Sequence, residues 1–225
     1  MRTRFRNRTE AGELLAGRLG QYANRPDLIV LGLPRGGVPV AAVVARRLHA
    51  PLDVLIVRKL GVPGQEELAM GAIATGGVRV LNQRVIASLE IPDRAIDATI
   101  AREQVELARR EQLYRQGRPM PAIRGRTVIL VDDGIATGAT VRAAIGVLRH
   151  LQARKIVVAT PVISAATCQE MSPEADEIAA VLVPEEFFGV GQFYEDFAQT
   201  SDEEVQALLA PAAAGPRSRN AVDLS

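Results

Sequence analysis

The chain has 225 residues, nearly half of them apolar, and a formal net charge of +1 at pH 7. This length and apolar content suit one α/β domain with a sizeable core, and the balanced charge gives no indication of bulk binding to nucleic acid or to acidic membranes. The single cysteine, Cys168, excludes an internal disulfide framework and favours a reducing cytoplasm, and no apolar run is long enough to span a membrane.

The first part of the chain predicts a helix, a buried strand and a second helix. The helix is expected over Thr9 to Tyr22 with Thr9 as its N-cap, the strand over Leu28 to Leu33, and the second helix over Val38 to Leu48. Four arginines alternate before the first helix, and we interpret them as a solvated terminal segment rather than as a basic arm: Arg2, Arg4, Arg6 and Arg8.

The middle of the chain predicts three strands and a long charged helix. The strands are expected over Asp53 to Val57, Met70 to Ala74 and Val78 to Leu81. The helix is expected over Pro92 to Gln116 and has a thin apolar stripe, which indicates a largely solvated helix. Two pairs at helical i,i+4 spacing are expected to form ion pairs along it, Arg102 with Glu106 and Glu111 with Arg115.

The second half continues to alternate between strands and helices. The predicted elements are, in order, a strand at Val128 to Val131, a helix at Val141 to Leu151, a strand at Lys155 to Pro161, a helix near Ala165 to Met171 and a strand at Glu177 to Val183. Such alternation is typical of an α/β fold with a parallel twisted sheet flanked by helices. We expect one domain over 1–210, with a core at about 25–183, a helical insertion at about 84–118 and a small C-terminal hood at 184–210, before a disordered tail at 211–225.

One stretch carries most of the functional information. The apolar strand Val128 to Val131 is followed by two carboxylates, Asp132 and Asp133, and then by a loop rich in Gly and Thr that opens a helix. Ligands of open α/β sheets bind at the carboxyl ends of strands, and a helix N-terminus offers free N–H groups to a phosphate. The acids repel a phosphate but suit the hydroxyls of a ribose. The stretch therefore predicts a site for a ribose 5-phosphate.

Two other phosphate-binding motifs do not fit this stretch. A P-loop needs a lysine beside the Ser or Thr that follows its glycines, and Gly138-Ala139-Thr140 has none. A dinucleotide-binding loop needs three glycines directly after its strand, with an acid downstream, whereas here the acids come first.

The stretch resembles the motif of the type I phosphoribosyltransferases: an apolar strand, two acids, a small-residue loop, then Thr-Gly and a further Thr or Ser. The resemblance implies that fold, phosphoribosyl pyrophosphate (PRPP) as substrate and Mg²⁺ as cofactor. It assigns Asp132 and Asp133 to the ribose hydroxyls, to the metal and to catalysis. It assigns the 5-phosphate to a loop made of Gly134, Ala136, Thr137, Gly138, Ala139 and Thr140.

A second segment, Leu31 to Val38, ends a predicted strand in Pro-Arg-Gly-Gly. It resembles the pyrophosphate loop of the same family, in which Gly36 and Gly37 would present backbone N–H groups and Arg35 a planar cation to the leaving group. The resemblance also implies a cis peptide bond between Pro34 and Arg35. Taken alone, the segment would favour an ordinary turn between a strand and a helix, and the strength of the acid-pair motif is what favours the functional interpretation.

A third segment, Val57 to Gly64, ends a strand in two cations before a Gly/Pro loop. Arg58 and Lys59 resemble the Arg-Lys that opens the mobile catalytic loop of adenine and orotate enzymes. The resemblance implies that Lys59 and Arg58 bind the pyrophosphate, with Lys59 catalytic. The residues that follow, through Glu66, Glu67 and Gly71, would form a lid that excludes water.

Five of the eight Phe and Tyr residues lie between positions 187 and 197, after the last predicted core strand. The segment is similar to the hood of hypoxanthine enzymes, which implies that Phe187, Phe188 and Phe193 stack on a planar base. A small aromatic core is the alternative. Hypoxanthine enzymes carry an Asp where this chain has Ala136, so a general acid or base is sought among Glu186, Glu195 and Asp196.

These resemblances imply a cytoplasmic phosphoribosyltransferase that transfers ribose 5-phosphate from PRPP to a nitrogen acceptor, a small heterocycle of nucleobase type, and releases pyrophosphate. Arg35, Lys59 and Mg²⁺ would neutralise the leaving group. The expected partners are PRPP, the acceptor and a second copy in a homo-oligomer, a dimer, with no nucleic acid and no membrane. The alternative is a non-catalytic regulatory protein that binds PRPP.

Overall fold

The structure, a computed structural model, describes residues 4–210 apart from the side chain of Glu67. Its centre is a sheet of five parallel strands in the order β2-β1-β6-β7-β8. These strands are β1 (Leu28–Gly32), β2 (Leu52–Val54), β6 (Thr127–Val131), β7 (Lys155–Val162) and β8 (Glu177–Leu182). The carboxyl ends of all five strands therefore lie along one edge of the sheet, as the predicted fold class requires.

Helices cover both faces of this sheet. Every residue of β1 and β6 is buried although alternate residues point to opposite faces, so neither face is open to solvent at these strands. One core layer packs the sheet against α1 (Arg8–Arg18) and α2 (Gly37–Leu48). The other packs it against α5 (Ala139–His150) and α6 (Ala165–Met171). The first helix begins one residue earlier than predicted, because the side chain of Asn7, and not of Thr9, accepts the capping hydrogen bond from Glu10 N.

A second sheet follows β2 and consists of three antiparallel strands in the order β3-β4-β5. They are β3 (Val57–Val62), β4 (Gln65–Ala74) and β5 (Val78–Leu81). The single strand predicted over Asp53 to Val57 is therefore wrong, since the chain leaves the parallel sheet after Val54. The apolar run hides this boundary, because Leu55 and Ile56 are fully buried in the connection.

The long helix α4 (Asp93–Arg115) follows the short α3 (Gln83–Ser88) and packs on the second sheet together with α7 (Asp202–Leu209). Its apolar stripe is buried between them and consists of Ile96, Ile100, Leu107 and Tyr114. The stripe therefore has its partner within the chain. The predicted i,i+4 pairs are wrong, because Glu106 pairs with Arg109 and Arg110, and Arg115 pairs with Asp53.

Arg115 ties the end of α4 to the parallel sheet. Its side chain is 5% exposed, donates to both carboxylate oxygens of Asp53 at 2.9 and 3.1 Å, and also donates to the carbonyls of Val54 and Pro119. No helix among the residues described is long and apolar enough to cross a membrane. The tail predicted to be disordered, 211–225, lies outside the described residues.

Replacing Arg115 with Met should lower the free energy of unfolding by about 3 kcal/mol or more, because removal of one partner of a buried pair leaves Asp53 without its cation. Urea denaturation followed by circular dichroism measures this loss. Arg109→Met is the matched control, since Arg109 forms an exposed pair on the same helix and should leave the midpoint near that of the wild type. Equal midpoints for the two variants would contradict the role given to Arg115.

Candidate active site

Asp132 and Asp133 directly follow β6, at the carboxyl edge of the parallel sheet. The N–H of Asp133 donates to Asp132 Oδ1 at 2.9 Å, and the N–H of Asp132 donates to Ala159 O on β7 at 3.3 Å. Burial, and then the negative charge of Asp133, raise the pKa of Asp132 well above its usual range. The loop thus holds two like charges close together, which disfavours full ionisation of the pair in the ligand-free protein.

The segment predicted as the pyrophosphate loop lies against these acids. β1 pairs with β6 in register, Gly32 opposite Val131, so the segments after the two strands run side by side. A Cβ atom on Gly36 would lie 2.0 Å from Asp133 Oδ2, and one on Gly37 would lie 2.6 Å from Val131 O. Both glycines are therefore needed for this close approach.

Two details of the same loop bear on the prediction made for it. The Pro34–Arg35 peptide bond is cis, as the resemblance implies. The N–H of Gly37 donates to Leu33 O at 3.0 Å, so this group closes the turn at the start of α2. The contribution of Gly37 is therefore close packing, and its N–H is not directed at a ligand.

The small-residue loop after the acids is held from the side of β7 and α6. Ile135 is buried and its N–H donates to Val162 O at 2.8 Å, while the hydroxyl of Thr167 donates to Ala136 O. Gly138 has a φ of +72°, a conformation that favours glycine, immediately before α5 begins at Ala139. The loop leaves Ala136, Thr137 and Thr140 exposed to solvent, and Thr140 lies in the first turn of a twelve-residue helix.

The predicted cations Arg58 and Lys59 lie on β3, and Lys59 reaches the same region as the small-residue loop. Both side chains line a cavity of about 320 Å³ together with Thr140 of that loop. Lys59 also lines a larger cavity of about 660 Å³ between α5 and the second sheet, together with Ala139 of the small-residue loop. Each cavity therefore joins Lys59 to the small-residue loop, the smaller one includes Arg58 as well, and neither is lined by Asp132 or Asp133.

The segment predicted to form the lid is a β-hairpin. β3 and β4 pair antiparallel around a turn at Gly64, which has a φ of +78°. Leu60, Val62 and Met70 are buried against α4 and α7, so the ribbon has an apolar face of its own. The sequence around Pro63-Gly64 indicated a loop because turn residues dominate it, and only the packing with distant helices reveals the strands.

Arg35 and Arg58 each have an acidic neighbour that sequence reasoning missed. Arg58 donates to Glu103 of α4 at 2.9 Å through Nε, and Arg35 Nη1 lies 3.8 Å from Asp202 Oδ1 of α7. Tyr114, also on α4, donates its hydroxyl to the same carboxylate of Asp202. No local spacing could have found Glu103 or Asp202, because each lies far along the chain from its partner.

The three phenylalanines assigned to a base platform are placed differently from one another. Phe193 is 8% exposed and packs with Phe5 and Tyr194 in a small core, and Phe187 packs against that core, its ring 5.2 Å from that of Phe193. Phe188 is 90% exposed. Phe193 and Phe187 therefore form the small aromatic core that was the alternative interpretation, whereas the ring of Phe188 is open to solvent.

The hood also touches the acid loop. A Cβ atom on Gly134 would lie 2.2 Å from Val190 Cγ1, and the Tyr194 hydroxyl donates to Asp133 O at 2.7 Å. Val190, whose side chain contacts the start of the small-residue loop, is two residues along the chain from Phe188. The hood is therefore in direct contact with the acids and with the start of that loop.

The N-terminal segment contributes a residue that was expected to be solvated. The Arg8 side chain is 13% exposed, and its Nε donates to Asp133 Oδ2 at 2.8 Å. The prediction of a solvated arm is therefore wrong for Arg8, which lies 125 residues from its partner in the sequence. Arg6 has a side chain that is 71% exposed and follows the prediction.

Comparison with known proteins places the chain among relatives of this architecture. Residues 6–196 match the phosphoribosyl transferase domain family. Two proteins of Mycobacterium tuberculosis, provisionally named phosphoribosyl transferases, are 49% identical over 205 residues, which is 91% of this chain and 46% of each relative. The chain thus spans about half the length of those relatives. It belongs to the phosphoribosyl transferase domain family.

The chain is also similar to a solved structure and to a more distant relative. The crystal structure of TT1426 from Thermus thermophilus is 44% identical, with a TM-score of 0.85 over 92% of this chain and 97% of that one. The bifunctional protein PyrR of Brevibacillus brevis is 36% identical over 114 residues, 48% of this chain and 61% of that protein. The predicted fold class is confirmed: a parallel sheet flanked by helices, with the helical insertion and the hood.

The raised pKa of Asp132 predicts a stability gain when this charge is removed. A folded-state pKa above the unfolded value means that stability is full at low pH and falls as pH rises through the folded pKa. Asp132→Asn, which mimics the protonated acid, should therefore raise the melting temperature at pH 8 in the absence of Mg²⁺. The gain should shrink as the pH is lowered.

Asp27 supplies the opposite case as a control. Hydrogen bonding from Thr127, and then from Arg25, lowers the pKa of Asp27 to about 2. Asp27→Asn should therefore lower the melting temperature at neutral pH, and its effect should fade as pH falls through about 2. Differential scanning calorimetry over a pH series would refute the assignment if the two variants shifted in the same direction at pH 8.

Proposed function

We propose that the chain is a PRPP-dependent phosphoribosyltransferase that transfers ribose 5-phosphate to a nitrogen of a small heterocycle and releases pyrophosphate. The observation that carries this proposal is the close packing of the Gly36–Gly37 loop on the acid pair Asp132 and Asp133. It brings a candidate leaving-group site beside a candidate ribose site, with the small-residue loop continuing from the same acids. Family membership supports the same reaction class.

The 5-phosphate would bind at the start of α5. Thr137 and Thr140 reach solvent there, and their hydroxyls can donate to phosphate oxygens. The first turn of α5 adds backbone N–H groups and the positive end of the helix dipole. Gly138 keeps this turn compact, because any side chain at Gly138 would meet Met171 Cε at 2.5 Å.

The acid pair would hold the ribose and a metal. Carboxylate oxygens are the hard ligands that Mg²⁺ prefers, and Asp132 and Asp133 would supply part of its ligand set, with oxygens of the substrate supplying more. When bound, Mg²⁺ would supply positive charge that stabilises the departing pyrophosphate. The carboxylates would accept hydrogen bonds from the ribose hydroxyls and stabilise positive charge that develops on the sugar.

Arg35, Lys59 and Arg58 would neutralise the leaving group. Arg35 and Arg58 are paired with carboxylates in the ligand-free protein, those of Asp202 and Glu103, and both arginine side chains are about a third exposed. A pyrophosphate offers more charge and more acceptor oxygens than one carboxylate does. We therefore expect the two arginines to exchange their partners when PRPP binds.

The acceptor would stack on Phe188. This ring is exposed and belongs to the hood, whose Val190 and Tyr194 contact the acid loop, whereas Phe193 is packed in the small core. Glu186 and Glu195 are exposed and remain candidates for the general acid or base, while the Asp196 carboxylate accepts a hydrogen bond from Ala198 N. We propose that the protein is cytoplasmic and forms a homo-oligomer. Light scattering tests the oligomeric state.

A non-catalytic PRPP-binding regulator is the second candidate. A regulator would need the acid pair and the small-residue loop but no surface for stacking a base. The burial of Phe193 favours this candidate, because a buried ring cannot stack on a base. The name of one relative, a bifunctional protein, is compatible with both candidates. A screen for pyrophosphate release from PRPP with purines, pyrimidines and other heterocycles distinguishes the enzyme from the regulator.

Converting both Asp132 and Asp133 to Asn should weaken the binding of PRPP in the presence of Mg²⁺. Each charged hydrogen bond contributes roughly 1.5–3 kcal/mol, so we expect a loss of about tenfold or more in affinity for each acid. Isothermal titration calorimetry measures it. The control Asp93→Asn with Asp97→Asn makes the same charge change on the exposed surface of α4, and unchanged affinity in the acid-pair variant would end the proposal.

Phe188→Ala should impair use of the acceptor while leaving folding and PRPP affinity intact. Loss of one stacking partner costs on the order of 1–3 kcal/mol, and Phe188 buries little surface in the fold. Steady-state kinetics with the best acceptor from the screen measures this effect.

Two further variants serve as comparisons for Phe188→Ala. Phe193→Ala should instead lose roughly 3–5 kcal/mol of folding stability, because it empties part of a core. Lys59→Ala should slow turnover with little change in acceptor binding, because its charge would act on the leaving group. If Phe188→Ala kept wild-type kinetics, the hood would not be the base platform.

A further inference from the structure

The N-terminal segment is joined to the hood beside the acid pair. The N–H of Phe5 donates to Phe193 O at 2.7 Å, and the N–H groups of Glu195 and Asp196 donate back to Phe5 O and Arg6 O at 2.8 and 2.9 Å. The residues that follow Phe5 therefore start from a fixed position. These backbone hydrogen bonds place Arg8, the first residue of α1, against the carboxylate of Asp133.

The Arg8 guanidinium is fixed on several sides. Its Nε and Nη2 both lie 2.8 Å from Asp133 Oδ2, and Nη1 donates to Ala198 O at 2.7 Å. Its Cζ lies 4.2 Å from the centre of the Phe197 ring, which is a cation–π distance. An arginine held by a carboxylate, a carbonyl and a ring has a defined position, in contrast to an exposed side chain such as that of Arg6.

The Arg8 guanidinium occupies one carboxylate oxygen of the acid pair that could otherwise bind a metal. Asp133 Oδ2 is enclosed by Arg8 on one side and by the backbone of Gly36 on the other. Mg²⁺ needs six oxygens, and within residues 4–210 no cluster of three or more His, Cys, Asp or Glu side chains could hold a metal. A free divalent cation would therefore meet few ligands and a fixed positive charge.

We propose that Arg8 is a positioning residue that makes the acid pair reject a free divalent cation, so that the metal enters only together with PRPP, whose oxygens complete its ligands. This inference rests on the proposed function for the role of PRPP. Arg8 holds Asp133 through Oδ2 and leaves Oδ1 for the ribose or the metal. Arg8 also keeps the ligand-free pair from carrying two uncompensated negative charges, which an anionic substrate would otherwise meet.

Binding of Mn²⁺ alone, measured by electron paramagnetic resonance without PRPP, tests the inference. Arg8→Gln should bind Mn²⁺ at least about tenfold more tightly than the wild type, since it removes a positive charge in direct contact with a ligand oxygen. Arg8→Lys, which keeps the charge, and Arg6→Gln, which removes an exposed charge from the same segment, should bind like the wild type. The double variant Arg8→Gln with Asp133→Asn should lose the gain.

Equal Mn²⁺ affinity in wild type and in folded Arg8→Gln would overturn the inference and leave Arg8 as a structural tether. Should Arg8→Gln fail to fold, Phe197→Ala replaces it, because this variant removes the ring that holds the guanidinium and should give a smaller gain in Mn²⁺ affinity. No gain there would count equally against the inference. A wild type that binds no PRPP would refute the proposed function, whereas the Mn²⁺ comparison would still decide the role of Arg8.

Discussion

The parallel, in-register pairing of β1 with β6 is the constraint on which the candidate site depends. It starts the segments after Gly32 and Val131 side by side, and the lack of side chains at Gly36 and Gly37 lets them touch. A register shift of one residue would move every side chain of a strand to the other face. The same hydrogen-bond ladder therefore sets both the core and the distance between the candidate pyrophosphate and ribose sites.

Internal counter-ions are the second feature of the site. Asp133, Arg58 and Arg35 each lie beside an opposite charge from a distant element, respectively Arg8, Glu103 and Asp202. Charges that are partly removed from water cost free energy unless they are paired, so these partners allow the site to exist before a ligand arrives. They also give α1, α4 and α7 a part in the site, although none of these helices belongs to the motif after β6.

The aromatic segment shows how one composition can serve two purposes. Phe193 and Tyr194 bury their rings with Phe5 and hold the N-terminal segment against the hood, while Phe188 stays open to solvent. Burial of the first group fixes the backbone from which the exposed ring projects. A cluster of rings in a sequence indicates neither role by itself, because stacking on a base and packing in a core need the same residue type.

Local patterns in the sequence determined the parallel sheet, the flanking helices, the acid pair and the small-residue loop, because periodicity and motif spacing are properties of neighbouring residues. The same patterns carried the resemblance that the family match later confirmed. The tertiary structure alone decided the division of the run after Leu52 between two sheets, the burial of the α4 stripe, the hairpin formed by β3 and β4, and the approach of Arg8 to Asp133. Each of these depends on contacts between residues far apart in the chain, and such contacts are selected by packing and charge pairing in three dimensions, which local spacing does not encode.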